Sequence, residues 1–427
     1  MKVLIVTYYW PPAGGPGVQR WLKFVKYLRD FGIEPVVFTA ENPYYPTIDE
    51  TLKTDIPSGI EVIKCPIFEP NTIVAKLKKS ETQKSAGFLD PNPSFFAKIL
   101  LYIRANYFIP DARMFWVKPA VRKIKEYTEN NHVDAIITTG PPHSLHLIGA
   151  KLKKDLGLKW LADFRDPWTS IDYFHLLPLT KRARKKHFSM EEKVVRSADQ
   201  VLMVSNHAKK KYESFNSNID VITNGFDTEE GIFKEETLDD KFSITHIGSM
   251  NSERNPKHLW EVLEELSEEN KDFATDLELK LIGKVDDTLF KEEIERRNFQ
   301  NIVRISYVPH IEAKEFQRKA QVLLIVVNDY PSAKEMIPGK TFEYLQAGRP
   351  ILAIAPEDGD LAAILNKTKA GTTANFSNKA KVKQEILKLY DLYKKGTLQV
   401  NTEFVETYHR KNLTRKLSIL IKNLIAS

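Results

Sequence analysis

The sequence predicts an α/β protein of two domains, each a doubly wound parallel sheet covered by helices on both faces. The chain has 427 residues, more than one hydrophobic core usually organises. Short runs rich in valine, isoleucine and leucine alternate with amphipathic helical patterns, as they do in parallel sheets. The alternation stops at a polar stretch, residues 227–241, and then restarts.

The first half begins with the strand KVLIVTYY, the amphipathic helix VQRWLKFVKYLRDFG and the strand EPVVFTA. Further strands are predicted at VDAIITTG, KWLADFRD, DQVLMVS and IDVITNGFD. Residues 66–125 break this alternation with a lysine- and serine-rich stretch followed by an aromatic-rich one. This segment is either an inserted helical layer with core aromatics or a surface for a lipid-linked or membrane-associated partner.

The second half repeats the pattern with strands at FSITHIGS, LELKLIGK, IVRISYV, VLLIVV and PILAIAP. We therefore expect an N-terminal domain at 1–225, a C-terminal domain at 226–403, and a last amphipathic helix at 404–427 that crosses back to the first domain. Such folds bind ligands at the carboxyl ends of their strands, so a cleft between the two domains is the expected site.

Composition narrows the function classes. The hydrophobic fraction of 42% and the charged fraction of 28% are ordinary for a soluble globular protein. The single cysteine, Cys65, cannot form an internal disulfide, and no His/Cys cluster has metal-ligand spacing, so a cytoplasmic protein without a bound metal is expected. No run reaches the roughly 18 apolar residues of a spanning helix.

Five lysines and arginines stand within six residues at 181–186. They form either a solvated face or a contact with an anionic membrane surface. Nucleic acid is not an expected partner, because no aromatic stacking platform or known binding module accompanies this run.

A glycine-rich loop containing Gly14, Gly15 and Gly17 follows the first strand and opens a helix. Such a loop lets backbone N–H groups approach an anionic or hydroxyl-rich ligand. Gly15 and Gly17 fit a dinucleotide-binding G-x-G-x-x-G, but Arg20 takes the third glycine position, which argues against NAD. A purely structural turn is the other alternative.

Polar residues also follow two later strands of the first half. His143 begins the helix after TTG, where it could hydrogen-bond a ligand or simply cap and pack. Asp163, Arg165 and Asp166 come directly after an apolar strand. Because charges are costly to bury unpaired, these three predict a turn that lines the cleft, although Arg165 could pair with either aspartate.

In the second half, Gly248 and Ser249 end a strand and Arg254 follows before the next helix. This arrangement offers N–H groups and a cation to a diphosphate, unless Arg254 is a solvated loop charge. Asp358 and Asp360 form a D-x-D that could hold a metal, but Asp360 is better explained as a helix N-cap.

The stretch EMIPGKTFEYLQAGRP is the best candidate for a ligand site. Gly339 allows close backbone approach, Pro338 suits the first helical turn, and the free N–H groups of that turn would face an anion. Lys340 and Glu343 share one helix face, while Glu335 stays on the preceding loop. The two glutamates could therefore reach different ends of one ligand.

The loop PPAGGPG, the segments SADQVLMVSNHAKKKY and VITNGFD, and the E-x7-E pattern before AGRPILA resemble the large retaining glycosyltransferase family 4. The resemblance covers nearly the whole chain. It implies the GT-B fold, two Rossmann-like domains facing across a cleft. It also implies retaining transfer from a UDP- or GDP-sugar to a glycan or lipid-linked acceptor in surface polysaccharide or glycolipid synthesis, with no essential metal or other cofactor.

The resemblance also assigns roles to residues. It implies that Glu343 binds the ribose hydroxyls and Glu335 the donor sugar, with the acceptor on the N-terminal domain. Ser249 stands where a basic residue is usual, which makes Lys340 a candidate substitute, and Arg165-Asp166 replace a histidine of the catalytic region. The implied sites are catalytic Arg165, Asp166 and Glu335; donor-binding Gly248, Ser249, Arg254, Gly339, Lys340, Thr341 and Glu343; and an acceptor or phosphate loop of Gly14, Gly15, Gly17 and His143.

Two other functions fit the same sequence features: a nucleotide-sugar epimerase of GT-B fold, and a non-catalytic scaffold that binds a nucleotide sugar. For the transferase, we expect a cytoplasmic location, peripheral on the inner face of the cell membrane.

Overall fold

The computed structural model describes residues 1–70, 94–227, 237–297, 299–400 and 403–427. The chain divides into two compact units. The first unit comprises residues 1–224 and 410–427, and the second comprises residues 225–409. Of the expected insertion and the expected polar stretch, residues 71–93 and 228–236 lie outside the described residues.

The described part of the first unit contains a seven-stranded parallel sheet in the order β3-β2-β1-β4-β5-β6-β7. Its central strands are buried and apolar on both faces, as a sheet covered on both sides requires. The strands are β1 (Lys2–Val6), β2 (Glu34–Ala40), β3 (Glu61–Cys65), β4 (Ala135–Gly140), β5 (Lys159–Phe164), β6 (Gln200–Met203) and β7 (Ile219–Val221).

Helices cover both faces of this sheet. The last helix of the chain also belongs here, because Leu417 and Ile421 pack in one core cluster with Val18 and Leu22 of the first helix. The helices of this unit are α1 (Pro16–Leu28), α2 (Phe95–Tyr107), α3 (Val117–Asn130), α4 (Ser144–Leu156), α5 (Lys181–Ser197), α6 (Asn206–Tyr212) and α13 (Arg410–Ala426). The last helix begins at Arg410 rather than at residue 404, because Val405–Tyr408 form a separate 3-10 turn in the second unit.

The described part of the second unit contains a six-stranded parallel sheet in the order β10-β9-β8-β11-β12-β13. The strands are β8 (Phe242–Ile247), β9 (Leu277–Ile282), β10 (Ile302–Ile305), β11 (Val322–Val326), β12 (Ile351–Ile354) and β13 (Gly371–Ala374). The longer helices are α7 (Lys257–Glu269), α8 (Lys271–Asp276), α9 (His310–Lys319), α10 (Lys340–Ala347), α11 (Asp360–Thr368) and α12 (Lys379–Lys394). The α/β architecture of two parallel-sheet domains is confirmed.

In the described part of the inserted segment, helix α2 does not match the interpretation as a helical layer with core aromatics. Helix α2 buries only Ala105, while the side chains of Phe95 and Phe96 are 74% and 75% exposed. Core aromatics are found further along, where Trp116 stacks on Phe38. Helix α2 therefore presents an apolar surface instead of filling a core. None of the helices in the described ranges is both long and apolar enough to cross a membrane.

Candidate functional site

The carboxyl end of β8 and the start of α10 meet in the second unit. The Lys340 ammonium donates to the carbonyl oxygen of Ile247 at 2.6 Å, and the Tyr344 hydroxyl accepts from the Ile247 N–H at 3.0 Å. Because positions i and i+4 lie on one helix face, this pair fixes both peptide groups of Ile247. Helix α10 is thereby held against the end of β8, with Phe342 and Leu345 buried in the core behind it.

Gly248 makes room for Lys340 at this strand end. Gly248 has a φ of +118°, and a Cβ there would stand 3.0 Å from the Lys340 ammonium nitrogen. At the end of the neighbouring strand, Gly283 has a φ of +117°, and its Cβ would stand 2.5 Å from the Gly248 carbonyl oxygen. Both positions therefore need glycine, which alone adopts such backbone angles without strain. The glycine at the end of β8 therefore leaves room for the Lys340 ammonium of α10.

Arg254 supplies a second cation in the same place. Its Nε donates to Asn328 Oδ1 at 2.6 Å, and its Nη1 donates to the carbonyl oxygen of Ser249 at 3.2 Å. The sequence left open that Arg254 is a solvated loop charge, but these contacts attach it to the loop after β8. Ser249 contributes its backbone carbonyl to this arrangement.

The electrostatics of this cluster favour an anionic ligand. Burial, together with the charge of Arg254, lowers the pKa of Lys340 to about 7, and Glu343 opposes this shift. Burial also holds the pKa of His246 well below its usual value, so this imidazole is neutral at pH 7. An anion bound beside Lys340 and Arg254 would stabilise the protonated form of Lys340.

The remaining predicted donor residues lie on or beside α10. Gly339 is the exposed N-cap residue, and Thr341 is buried with a hydroxyl that has no hydrogen-bond partner among the described residues. Glu343 is half-buried and accepts from Gln317 Nε2 at 3.1 Å. Glu335 is 9% exposed and ends the 3-10 turn Pro331–Glu335.

The start of α10 differs from the expectation in two details. The helix begins at Lys340, so Pro338 precedes the first turn instead of lying in it. The N–H groups of Thr341 and Phe342 donate to the carbonyls of Pro338 and Gly339 at 3.0 and 3.3 Å. They are therefore not free to face an anion, and the cations of Lys340 and Arg254 become the principal charges of the site. At the D-x-D, the helix N-cap is Gly359, and Asp360 is the first residue of α11.

In the first unit, Arg165 joins the glycine-rich loop to the loop after β4. Its two terminal nitrogens donate to the carbonyls of Gly17 and Pro141, and its backbone N–H donates to the carbonyl of Gly140 at 2.9 Å. Gly17 is in close contact, since a Cβ there would stand 3.1 Å from an Arg165 nitrogen. Burial lowers the pKa of this guanidinium, the nearby aspartates oppose the shift, and Arg165 Nε has no hydrogen-bond partner among the described residues.

Asp163 does not line a cleft as expected. It is 0% exposed and accepts two hydrogen bonds from Arg20, with Nε at 3.2 Å and Nη2 at 2.9 Å. Trp21 and Thr139 also donate to it, at 2.7 and 2.9 Å. The arginine that breaks the dinucleotide fingerprint thus forms a buried ion pair, while Asp166 is exposed.

His143, also in the first unit, packs against a buried aromatic side chain. Its ring stacks on Trp168 with centroids 5.0 Å apart and an interplanar angle of 6°. Burial holds the pKa of His143 well below its usual value, and its Nδ1 has no hydrogen-bond partner among the described residues. The neutral ring is therefore packed on one face, and one of its nitrogens is buried without a hydrogen-bond partner among the described residues. Gly14 is held by the Thr47 carbonyl, which accepts from its N–H at 2.9 Å.

The structure thus gathers Gly17, His143 and Arg165 in one unit, and Gly248, Ser249, Arg254 and Lys340 in the other. Asp166 lies close enough to Arg165 for its charge to oppose the lowering of the Arg165 pKa. Sequence reasoning missed His246, whose Nε2 lies 3.4 Å from the Lys340 ammonium, and Glu191, a buried carboxylate on α5. A signal for Glu191 existed: Ala183, His187 and Glu191 repeat every four residues on the apolar side of the helix. Among the described residues, no group of three or more His, Cys, Asp or Glu could hold a metal.

Comparison with known proteins relates part of the chain to a known family. Residues 84–230 match the model of Glycosyltransferase Family 4, whereas no curated protein sequence matches the chain. Among solved structures, the chain is similar to sucrose-phosphate synthase from Thermosynechococcus elongatus, with a TM-score of 0.61, 12% identity, and coverage of 100% of this chain and 99% of that one.

Two further solved structures show the same fold. HepE of Anabaena, solved in complex with UDP-glucose, has a TM-score of 0.54 at 13% identity, covering 100% of this chain and 98% of that one. WaaG, a glycosyltransferase involved in lipopolysaccharide biosynthesis, has a TM-score of 0.51 at 13% identity, covering 99% and 98%. The match over residues 84–230 and the shared GT-B fold together support the resemblance of the chain to glycosyltransferase family 4.

Proposed function

We propose that this glycosyltransferase moves a sugar from a UDP- or GDP-sugar to a glycan or lipid-linked acceptor, with retention of anomeric configuration, in surface polysaccharide or glycolipid synthesis. One observation carries the donor assignment. The Lys340 ammonium and the Arg254 guanidinium both donate to backbone carbonyls at the glycine-ended carboxyl end of β8, where a diphosphate would place its negative charge beside two cations.

The proposed reaction needs charge stabilisation at the leaving group. As the bond between the sugar C1 and the phosphate oxygen breaks, negative charge grows on the nucleoside diphosphate, and preorganised cations stabilise it. Lys340 and Arg254 would supply that stabilisation without a metal ion. The acceptor oxygen forms its bond to C1 on the face that the phosphate leaves, and its proton passes to the departing phosphate oxygen. This front-face course requires no protein nucleophile.

The remaining donor contacts follow from the positions around α10. Glu343 would accept hydrogen bonds from the ribose hydroxyls, and Glu335 would contact the donor sugar. The buried hydroxyl of Thr341 would gain a partner in the bound donor. On the acceptor side we propose Gly14, Gly15, Gly17 and His143 as the binding loop. Arg165 and Asp166 would act near the reacting hydroxyl, with Arg165 also holding the glycine-rich loop in place.

Two surface features support a peripheral location on the cytoplasmic face of an anionic membrane. Helix α2 exposes its aromatic side chains and contains no acidic residue. Asn106 near its end donates to the Pro178 carbonyl at 2.8 Å and accepts from the Thr180 N–H at 2.7 Å. Because Thr180 caps α5, the apolar helix ends beside the basic run at 181–186, a combination that suits anionic lipid.

The test is a turnover assay with a panel of UDP-, GDP- and dTDP-sugars, with and without a lipid extract. We expect nucleotide release with one donor, transfer of its sugar into the extract, and a product whose anomeric configuration by NMR equals that of the donor. Chelation of divalent cations should leave the rate unchanged. An altered free nucleotide sugar would instead identify an epimerase, and binding without any turnover would favour a scaffold.

A further inference from the structure

Helix α5 carries a buried carboxylate that the proposed reaction does not use. Glu191 is 4% exposed, and a carboxylate can be buried only if hydrogen bonds or cations compensate its lost hydration. Here the compensation comes from hydrogen-bond donors. Oε1 accepts from the N–H groups of Trp168 at 3.1 Å and Thr169 at 3.2 Å, and Oε2 accepts from the Thr169 hydroxyl. Tyr212 also donates its hydroxyl to Oε1 at 2.6 Å.

Three of these four donors belong to the segment that follows Arg165 and Asp166. A second residue of α5 holds the same segment, because His187 Nδ1 accepts from Trp168 Nε1 at 3.1 Å. His187 is one helical turn before Glu191, so the two side chains project from one face of α5. The backbone and the side chain of Trp168 are thus both attached to this helix.

The attachment reaches His143 through Trp168. The indole stacks on the His143 ring at 5.0 Å, while the same segment begins with Arg165, which binds the carbonyls of Gly17 and Pro141. The orientation of His143 and the position of Arg165 therefore depend on where residues 166–169 are held. A run of chain without regular secondary structure keeps one conformation only where such bonds fix it.

We infer that Glu191 is a positioning residue for the acceptor side of the site. Its carboxylate fixes Trp168 and Thr169 and, through the Trp168 indole, the ring of His143. This inference rests on the proposed function, in which the first unit binds the acceptor. In this proposal, Glu191 does not touch the reacting atoms.

The chain offers a matched set of variants for the test. Glu191→Leu removes all four hydrogen bonds that the carboxylate accepts. Glu191→Gln can keep four bonds to the same groups, since its amide nitrogen can donate to the Thr169 hydroxyl oxygen. Thr169→Val removes one bond between the carboxylate and the segment. Tyr212→Phe removes one bond to the same carboxylate from outside the segment, and serves as its control.

The first measurement is amide hydrogen exchange of Trp168 and Thr169, which needs no substrate. We expect exchange about tenfold or more faster in Glu191→Leu, faster to a smaller extent in Thr169→Val, and near wild type in Glu191→Gln and Tyr212→Phe. If Glu191→Leu does not fold, the exchange rates in Thr169→Val, compared with those in Tyr212→Phe, decide whether the carboxylate holds the segment. Wild-type exchange in a folded Glu191→Leu, or equal effects of Thr169→Val and Tyr212→Phe, would overturn the inference.

The second measurement is the ratio of sugar transfer to donor hydrolysis. We expect Glu191→Leu to lower this ratio about tenfold with an unchanged donor Kd, and Glu191→Gln to restore it. A lowered donor affinity with an unchanged ratio would contradict a role on the acceptor side. If the wild type turns over no donor, the proposed function fails, while the exchange data still decide whether Glu191 holds the segment.

Discussion

The pKa of about 7 for Lys340 makes donor binding depend on pH in a direction that can be stated in advance. Burial lowers this pKa, and Arg254 lowers it further. A diphosphate binds the protonated ammonium better than the neutral amine, so affinity falls as pH rises through 7. About nine tenths of the free protein carries a protonated Lys340 at pH 6, and about one tenth does at pH 8. We therefore expect the donor Kd to rise about tenfold over this range, or about 1.4 kcal/mol.

The assay is calorimetric titration at pH 6, 7 and 8 with the nucleotide sugar found in the turnover panel. A nucleotide sugar is used instead of a free nucleotide because its doubly esterified diphosphate keeps its charge over this range. His246, which faces the ammonium at 3.4 Å, stays neutral because burial holds its pKa well below the usual value. The titration of Lys340 is thus separated from those of its ligand and its neighbour.

Two variants complete the prediction. Lys340→Met should bind the donor weakly and with little pH dependence, because no charge remains to titrate. Lys340→Arg keeps its charge throughout, so its Kd should also be flat but lower than that of Lys340→Met. A wild-type Kd that is constant between pH 6 and 8 and equal to that of Lys340→Met would refute the role given to Lys340.

Three further predictions concern the fold and the surface. Asp163→Asn leaves Arg20 buried without its anion and should lower the free energy of unfolding by about 3–5 kcal/mol in urea titrations. The exposed-pair control Glu192→Gln should change it by less than about 1 kcal/mol, so equal effects would contradict the buried-pair argument. Gly283→Ala, at a φ of +117°, should lower the free energy of unfolding by about 1–3 kcal/mol and weaken donor binding by moving Gly248. A wild-type stability together with a wild-type donor Kd would contradict the close approach of Gly283 to the Gly248 carbonyl. Neutralising the basic residues at 181–186 should abolish sedimentation with anionic vesicles at low salt; unchanged sedimentation would leave them a solvated face.

The strands that the sequence predicted are those with strong apolar runs. Two edge strands, β3 and β13, were not predicted, because Glu61–Cys65 buries only Cys65 and Gly371–Ala374 contains small polar residues. Hydrophobic periodicity identifies buried strands, whereas edge strands take their structure from a neighbour. The start of the last helix was placed six residues early for a similar reason, since a 3-10 turn and a helix share apolar spacing over four residues.

The sequence could single out candidate site residues but not the contacts between them. The glycine before Ser249 and the lysine of α10 could each be recognised, yet their meeting depends on how α10 packs against β8. Asp163 and Arg165 show the opposite outcome, because both were expected to line a cleft and both are buried. A single sequence shows that charges follow a strand, but which of them pair with other buried groups is decided by contacts across 143 positions of chain, as between Arg20 and Asp163.

The most direct test of the central claim is donor affinity in Glu343→Ala, compared with Glu312→Ala on the exposed face of α9. Loss of hydrogen bonds from two ribose hydroxyls to a carboxylate is worth about 1.5–3 kcal/mol, so we expect the calorimetric Kd to rise about 10- to 150-fold. The control should bind like the wild type, and both variants should unfold at the wild-type temperature. An unchanged Kd in folded Glu343→Ala would show that Glu343 does not bind the donor, and it would contradict the proposed donor site.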